Sequence, residues 1–382
     1  MTRYKLSEIC KIVSGSTPKT NVPEYWDGEN IWITPAEITD KTFIIYDSQR
    51  KLSKLGVEKT HLSSFPKGTV ILSSRAPIGK VAIAGVEMFC NQGFKNLICS
   101  EKIMNEYLYW FLKGKTKYLN SLGRGATFKE LSAKIIGNIE LEVPSIQEQK
   151  EIVIRLRKID QIIGVFEREV ELLDELVKAR FVEMFGDLRV NDKGWKYYKL
   201  DELTELITDG EHATPKRTTQ GIYLLSARNV LNHQLSLEDV DYIDYDEFSR
   251  ISRRIIPREG DVLISCSGSI GRCCVVPKNI KFQMVRSIAL LRFKSNINPV
   301  FAEYMITSDY LQDQINKSKT ASSQANLFQG RIKSLKGVIP PLELQNQFAS
   351  FVEEIDKSRS RIQKSLEASQ ELFDSLMQEY FG

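Results

Sequence analysis

The sequence VPSIQEQKEIV at residues 143–153 returns 196 residues later (339 against 143) as IPPLELQNQFA at residues 339–349. Both copies place a glutamine five residues after a proline, ahead of a run with periodic apolar residues. KGTVILS at residues 67–73 likewise returns as EGDVLIS at residues 259–265, an offset of 192. An offset that drifts by only a few residues is typical of a duplicated unit with small loop insertions. The sequence therefore predicts two copies of one structural plan.

Each repeated boundary opens a long helix, and these helices are predicted at residues 146–189 and 342–382. In the first, apolar residues alternate in steps of four and three, which is the seam of a coiled coil: Ile152, Leu156, Ile159, Ile163, Phe166, Val170, Leu173 and Val177. Six of the eight corresponding positions in the second tail are also apolar. A helix of this length needs a partner for its seam. We favour antiparallel pairing of the two helices, and the alternative is that each packs on its own domain.

The remaining residues, 1–145 and 190–341, are predicted to form two mixed α/β domains. Short β-branched runs bounded by Gly, Pro and Ser indicate strands: VILSS, KVAIAGV, DVLISCS and IALLRFK. Apolar faces indicate one helix at Met104–Gly114 and another at Asn298–Ile315. The predicted fold is thus a duplicated α+β domain joined by two long antiparallel coiled-coil helices.

Composition indicates a cytoplasmic protein without metal. No apolar run is as long as a membrane span, and the N-terminus lacks the uninterrupted apolar stretch of a signal peptide. The six cysteines form no C-x-x-C pair and the three histidines are scattered, so metal-ligand spacing is absent. We expect buried reduced thiols.

Motifs for catalysis on nucleic acids are also missing from the sequence. APIGKV lacks the upstream glycine and the hydroxyl residue of a phosphate-binding P-loop. The adenine-methylating tetrapeptide does not occur, and no serine stands in a nucleophile-elbow setting. We therefore expect a binding protein rather than an enzyme, with no cofactor held by this chain.

Charge is distributed unevenly between the domains and the helices. Residues 1–145 have a balance of +6 and residues 190–341 of +4, whereas the helices carry −2 and −4. Clustered positive charge favours a polyanionic partner. We therefore expect the predicted domains, and not the helices, to meet nucleic acid.

Each copy has one polar loop near its start, and these two loops are the first candidates for DNA contact. Both contain Thr-Pro-Lys ahead of an aromatic residue and a strand. Hydroxyls, amides and cations suit phosphate and base-edge contacts, although an ordinary capped turn would have a similar composition. The candidates are Ser16, Thr17, Lys19 and Thr20 in the first loop, and His212, Thr214, Lys216, Arg217, Arg228 and Asn229 in the second. Trp26 and Trp32 are expected in the core rather than as base-stacking platforms.

Two further pairs of segments add candidates, each with a plain structural alternative. SSRAPIGKVAI matches SCSGSIGRCCV, which adds Arg75, Lys80 and Arg272, but the shared Ile-Gly-basic triplet could equally be a turn. GRGATFKELS matches TASSQANLFQ, which adds Arg124, Lys129 and Gln324. The second pair could hold a phosphate at a helix N-terminus or simply cap that helix.

The motifs GSTPKTNVPEYWDG, SSRAPIG and the Pro-x-x-x-x-Gln boundary together make the whole chain resemble the specificity subunits of type I restriction–modification systems. The resemblance implies that each target-recognition domain reads one half of a split double-stranded DNA target. It also implies that the helices set the spacing and hold two methyltransferase subunits, which restriction subunits then join. S-adenosylmethionine, ATP and Mg²⁺ would be used by those partners.

The alternative is that the chain is the recognition part of a self-contained restriction–modification enzyme. The missing catalytic motifs, in a chain with two complete units, argue against that alternative. A scaffold without a DNA role is opposed by the positive charge of the predicted domains.

Overall fold

The computed structural model describes residues 2–124, 129–317 and 326–382. The chain forms two compact units. The first unit comprises Met1–Glu167 with Lys364–Gly382, and the second comprises Arg168–Gln363. Each unit therefore contains one globular part and segments of both long helices. Among the described residues, no helix is long and apolar enough to cross a membrane.

The first unit is built on a five-stranded sheet in the order β2-β9-β6-β7-β4, with a three-stranded sheet β5-β3-β8 and the pair β1-β10. The strands are β1 (Thr2–Lys5), β2 (Cys10–Ser14), β3 (Trp26–Ile33), β4 (Ile44–Ile45), β5 (Arg50–Leu52), β6 (Val70–Ser73), β7 (Val81–Ala84), β8 (Phe89–Cys90), β9 (Phe94–Cys99) and β10 (Glu140–Val143). The helices are α1 (Leu6–Ile9), α2 (Lys54–Thr60), α3 (Asn105–Gly114), α4 (Thr116–Leu122), α5 (Ala133–Gly137) and the long α6 (Ile146–Phe185).

The central strands β6 and β7 of the first unit are covered on both faces, which explains why their residues are almost all apolar. Alternate residues of β6 enter different cores: Val70 and Leu72 pack under α3, whereas Ile71 packs with Ile33 on the opposite face. A strand buried on both faces cannot show the polar alternation of a half-exposed strand. VILSS and KVAIAGV are confirmed as strands, and the helix predicted at Met104–Gly114 is confirmed as α3.

The second unit repeats this plan with a four-stranded sheet β12-β20-β17-β18, a three-stranded sheet β16-β13-β19, and the pairs β11-β21 and β14-β15. Its strands are β11 (Tyr197–Lys199), β12 (Thr204–Asp209), β13 (Ile222–Leu225), β14 (Val230–Leu231), β15 (Gln234–Leu235), β16 (Asp241–Ile243), β17 (Val262–Ser265), β18 (Cys273–Val275), β19 (Phe282–Met284), β20 (Ile288–Phe293) and β21 (Lys336–Val338). Its helices are α7 (Leu200–Leu203), α8 (Tyr245–Ser252), α9 (Pro299–Thr307), α10 (Asp309–Lys317), α11 (Gln329–Ser334) and the long α12 (Leu342–Phe381).

The order β2-β9-β6-β7 corresponds to β12-β20-β17-β18, and β5-β3-β8 corresponds to β16-β13-β19, including the parallel pairs β3-β8 and β13-β19. The units differ at one sheet edge, because β4 pairs with β7 in the first unit whereas the second unit has the separate pair β14-β15. One prediction is wrong in detail. The helix expected at Asn298–Ile315 is two helices, because Ser308 adopts an extended backbone (ψ 150°) and its hydroxyl donates to the carbonyl of Met305 at 2.6 Å. A serine that bonds back to the preceding turn competes with helix continuation.

The long helices α6 and α12 contain 40 residues each and pair in both units. In the first unit, Leu156 near the start of α6 shares a buried core with Phe381 at the end of α12. In the second unit, the ring of Phe181 near the end of α6 lies 5.4 Å from that of Phe348 near the start of α12. Early residues of one helix thus meet late residues of the other, so the predicted antiparallel pairing is confirmed. All eight seam positions of α6 are buried or half-buried.

A buried glutamine joins α6 to the first globular part. Gln149 is fully buried, and its Oε1 accepts the backbone N–H of Met104 at 2.8 Å. Its Nε2 donates to the carbonyls of Lys102 and Pro144, both at 3.0 Å. The amide therefore ties the start of the helix to the loop before α3.

The same junction recurs in the second unit. Gln345 is fully buried, and its Oε1 accepts the N–H of Asn298 at 2.8 Å. Its Nε2 donates to Pro340 O at 2.7 Å and to Asn296 O at 3.3 Å. The Pro-x-x-x-x-Gln boundary is repeated because each globular part needs its own attachment to a long helix. The division into recognition domains at residues 1–145 and 190–341 stays a prediction.

Candidate nucleic-acid interface

Each globular part has an open cleft formed by loops at strand ends. The first cleft is lined by Thr34, Pro35, Ala36, Arg75, Ala76, Pro77, Lys80, Asn91, Gln92 and Gly93. The second cleft is lined by Asp209, His212, Cys266, Ser267, Arg286, Ser287, Ala289, Asn326, Leu327, Phe328 and Gln329. The loops that follow β6 and β8 meet in the first cleft, and those that follow β17 and β19 meet in the second.

The two clefts occupy equivalent places, because the same backbone hydrogen bonds surround them. In the first unit, Leu131 N–H donates to Ser74 O at 2.8 Å, and the matching bond of the second unit runs from Leu327 N–H to Cys266 O at 2.8 Å. Likewise, Ser74 N–H donates to Gly93 O at 2.7 Å, and Cys266 N–H donates to Ser287 O at 2.8 Å. The duplication therefore extends from the sheets to the loops that carry the candidate residues.

The Ile-Gly-basic triplet forms a turn beside each cleft. In the first unit the hydroxyl of Ser73 accepts the N–H of Lys80 at 2.8 Å, and Gly79 has a φ of +97°, which favours glycine. The ammonium of Lys80 donates to the carbonyl of Pro35 at 2.9 Å. The geometry thus supports the turn alternative, with Lys80 half-buried. Ser265, Gly271 and Arg272 form the same turn in the second unit.

Glu130 organises the positive charge of the first cleft. Its carboxylate lies 3.0 Å from the guanidinium of Arg75 and 3.6 Å from the ammonium of the buried Lys95. The hydrogen bond and positive charge of Arg75, with a smaller effect from Lys95, hold the pKa of Glu130 below its ordinary value. The backbone of Glu130 exchanges two hydrogen bonds with that of Arg124, and Lys129 is exposed next to it. The carboxylate of Glu130 therefore pairs with one predicted cation, Arg75, and with Lys95, whereas Arg124 meets Glu130 through the backbone.

Two buried tryptophans fix the first polar loop. Trp32 is 3% exposed and its indole N–H donates to the carbonyl of Ser16 at 3.1 Å. Trp26 is 6% exposed and donates to the carbonyl of Lys19 at 3.3 Å. The expectation that both tryptophans are core residues is confirmed. Ser16, Lys19 and Thr20 are exposed on the loop that the two tryptophans fix.

The second polar loop exposes His212, Thr214 and Lys216. The imidazole Nε2 of His212 lies 2.8 Å from Asp209, at the end of β12. The backbone N–H of Lys216 donates to Glu247 at 3.2 Å, which leaves the ammonium of Lys216 at the surface. A cation presented from a fixed backbone suits a phosphate contact.

Several predicted cations of the second unit are neutralised within the chain. Arg217 lies 3.0 Å and Arg228 lies 3.2 Å from the two oxygens of Asp241. Arg228 also donates to the carbonyl of Asp239 at 2.9 Å. Both guanidiniums stay exposed, but the carboxylates of Asp241 and Asp239 offset their positive charge.

Asn229 does not fit the role expected of it. The residue is 1% exposed, its Oδ1 accepts the N–H of Ser226 at 2.9 Å, and its Nδ2 donates to the carbonyls of Ser236 and Asp239. An amide buried in this way shapes the loop and has no surface for DNA. We therefore remove Asn229 from the candidate contacts. Gln324 lies outside the described residues.

Gln92 and Arg286 line the clefts, and the sequence reasoning missed both. Gln92 lies between β8 and β9, and Arg286 lies at the corresponding place between β19 and β20. The flanking sequences CNQGF and MVRSI share no residue, so no sequence signal pointed to them. The hydroxyl of Thr17 donates to Oε1 of Gln92, which places Thr17 at the first cleft.

Neither a reactive thiol nor a metal-ion cluster is found at the clefts among the residues that the structure describes. Burial raises the pKa of the Cys266 thiol to about 12, so the thiol next to the second cleft stays protonated. Within the same described ranges, no cluster of three or more His, Cys, Asp or Glu residues could hold a metal ion.

The family model described as type I restriction modification DNA specificity domain matches residues 1–172 and again residues 192–370. The chain belongs to this family. Each matched region contains one of the two clefts, so the clefts are corresponding parts of two specificity domains.

The sequence is similar along nearly its full length to named members of the family. It is 28% identical over 400 residues to the type I restriction enzyme MjaIX specificity subunit of Methanocaldococcus jannaschii, covering 98% of this chain and 90% of the relative. It is 21% identical to the EcoprrI specificity subunit of Escherichia coli, covering 92% and 86%. The similarity therefore spans both specificity domains and both long helices.

Solved structures share the fold. The type I restriction–modification S subunit from M. genitalium superposes with a TM-score of 0.62 at 14% identity, covering 100% of this chain and 96% of that one. A chain from a study of complex assembly and conformational transition of the type I R-M system gives a TM-score of 0.59 at 16% identity, covering 100% and 97%.

Proposed function

We propose that this chain recognises a two-part double-stranded DNA sequence, with one half read by each globular part. The observation that carries the proposal is the repetition of one loop-built cleft, framed by the same backbone hydrogen bonds, in both units. Two copies of one reading surface suit a target with two separate halves. The family and its named specificity subunits support the same conclusion.

The charge distribution supports DNA as the polyanion. Residues 1–145 carry +6 and residues 190–341 carry +4, and exposed Lys19 and Lys216 stand on corresponding polar loops. Cations that replace the counterions of DNA phosphates provide affinity without sequence information. The cleft residues would then supply the sequence information.

The same proposal assigns catalysis to partner proteins. Two methyltransferase subunits would bind the long helices and restriction subunits would join them, with S-adenosylmethionine, ATP and Mg²⁺ used by those partners. In the second unit, α6 leaves Leu172 45%, Leu176 47% and Val182 52% exposed. Large apolar side chains that remain exposed on a helix suit contact with another protein.

A domain exchange tests the proposal. Residues 1–145 are replaced by those of another family member, and methylated sites are mapped in cells that also contain the partner subunits. Because each globular part has its own cleft, one half of the recognised sequence should change while the other half is kept. A change in both halves would contradict the assignment of one half to each part.

A second measurement separates this proposal from a self-contained enzyme. The purified chain is incubated with DNA and S-adenosylmethionine, with and without its methyltransferase partner. Methylation should require the partner. Methylation by the chain alone would show that it is itself an enzyme.

A further inference from the structure

A three-residue loop in each cleft is anchored by backbone hydrogen bonds, and its middle residue lines the cleft. In the first cleft this loop is residues 91–93. Its backbone is fixed on one side by the bond from Asn91 N–H to Ile33 O (3.0 Å) and on the other by the bond from Ser74 N–H to Gly93 O (2.7 Å). The side chain of Asn91 also accepts the N–H of Gly93 at 2.9 Å. Gln92 therefore stands on a loop with both flanks anchored.

The corresponding loop of the second cleft, residues 285–287, has the same anchors. Val285 N–H donates to Leu225 O at 3.0 Å, and Ser287 O accepts the N–H of Cys266 at 2.8 Å. The backbone of Arg286 itself donates to Glu211 O at 3.0 Å. A preorganised backbone of this kind positions a side chain more precisely than a free loop does.

A glycine at the same position of both units brings the polar loop against the three-residue loop. A Cβ on Gly15 would lie 2.0 Å from Asn91 O, and a Cβ on Gly210 would lie 2.4 Å from Val285 O. Neither approach is compatible with a side chain, because both meet backbone atoms. The scaffold around Gln92 and Arg286 is thus the same in both units, whereas the central side chain differs.

The other cations and imidazoles of the clefts are engaged within the protein. Arg75 is paired with Glu130, and the ammonium of Lys80 donates to a backbone carbonyl. His212 lies beside Asp209. Arg286, in contrast, is exposed and has no carboxylate partner among the described residues.

We infer that Gln92 and Arg286 are base-reading residues of the two clefts, with Gln92 reading adenine and Arg286 reading guanine; this inference rests on the proposed DNA recognition. A glutamine amide can accept from N6 and donate to N7 of adenine, and an arginine fork donates to O6 and N7 of guanine. The hydroxyl of Thr17 donates to one lone pair of Gln92 Oε1, so the second lone pair can accept from adenine N6 while the amide nitrogen donates to N7. Two equivalent loop backbones that carry different central side chains would recognise two different half-sites.

The test uses the full chain in complex with its methyltransferase partner. Binding is measured to the mapped target and to every single-base change in each half. Arg286→Ala removes every donor of the guanidinium, so the preference for one guanine should fall roughly 10- to 100-fold. Gln92→Ala should remove the preference for one adenine, in the other half only.

Arg258→Ala is the matched control. Arg258 lies in the turn before β17, whereas the second cleft lies after the end of β17. This variant should keep both preferences.

The outcomes separate the inference from the function on which it rests. An even loss of affinity of Arg286→Ala for all sequences, with a weaker salt dependence, would show a phosphate contact and overturn the assignment of Arg286. Changes by both variants in the same half would also overturn the inference. A wild-type complex without any sequence preference would refute the proposed function itself.

Discussion

The buried glutamine at the start of α6 gives a quantitative prediction for how a long helix is attached to its globular part. Gln149→Ala removes three hydrogen bonds, one accepted from Met104 N–H and two donated to backbone carbonyls. At about 1 kcal/mol for each bond, the free energy of unfolding of the first unit should fall by about 3 kcal/mol. The groups left behind are part of the protein interior, so water replaces the lost bonds poorly.

Urea unfolding followed by tryptophan fluorescence measures this loss, because three of the four tryptophans belong to the first unit. Hydrogen exchange at the Met104 amide reports the same bond locally, and its protection should decrease. Gln147→Ala is the matched control on the same turn of the helix. Gln147 is exposed and bonds only Glu151, four residues on, so its replacement should cost a few tenths of a kcal/mol.

The repeat provides an independent check of the same reasoning. Gln345→Ala removes an equivalent set of three hydrogen bonds in the second unit, and should cost a similar amount there. If Gln149→Ala and Gln147→Ala destabilised the protein equally, the buried amide would not be what holds the helix to the domain.

Three further predictions concern charge, spacing and pH. Replacing both Lys19 and Lys216 by Ala should reduce the slope of log affinity against log salt by about 2, and an unchanged slope would remove both polar loops from the interface. Inserting four residues after Glu171 lengthens the helix by roughly 6 Å, so mapped methylation sites should show a spacer one to two base pairs longer; a parental spacer would mean that the helices do not set it. Burial raises the pKa of the Glu303 carboxyl, so its contribution to stability is greatest below the ordinary carboxyl pKa and is lost as pH rises through the raised value. Glu303→Gln should therefore lose less stability than wild type as the pH rises above the ordinary carboxyl pKa in urea titrations, and equal losses would contradict the role of this carboxyl.

The repeat, the long helices and the main strands could be predicted from sequence because their signals are local. The four-three spacing of apolar residues along α6 places one stripe on one helix face, and the residues of that stripe are buried or half-buried. Runs such as VILSS indicate strands by composition alone. The division of the helix at Ser308 was missed, because the apolar pattern continues across it while the backbone does not.

The candidate interface was only partly predictable, because its contacts join residues far apart in the chain. Arg75 and Glu130 are separated by 55 positions (130 against 75), yet they form an ion pair of 3.0 Å. Asn229 has a side chain of a type suited to DNA contact, but that side chain is engaged in hydrogen bonds within its own loop. Segment composition identifies polar loops, but it does not show which polar groups are already satisfied within the protein.

The amino-acid sequence by itself determined the duplicated plan, the two long helices with their apolar seams and the family, since periodicity, spacing and motif order are properties of the linear chain. The structure decided that the two helices pair antiparallel rather than packing each on its own domain. The tertiary structure alone decided which side chains meet in each cleft. Gln92 and Arg286 correspond only because equivalent strands carry them to equivalent loops. Their positions depend on backbone hydrogen bonds between strand ends that lie many residues apart, and those bonds exist only after the sheets have formed.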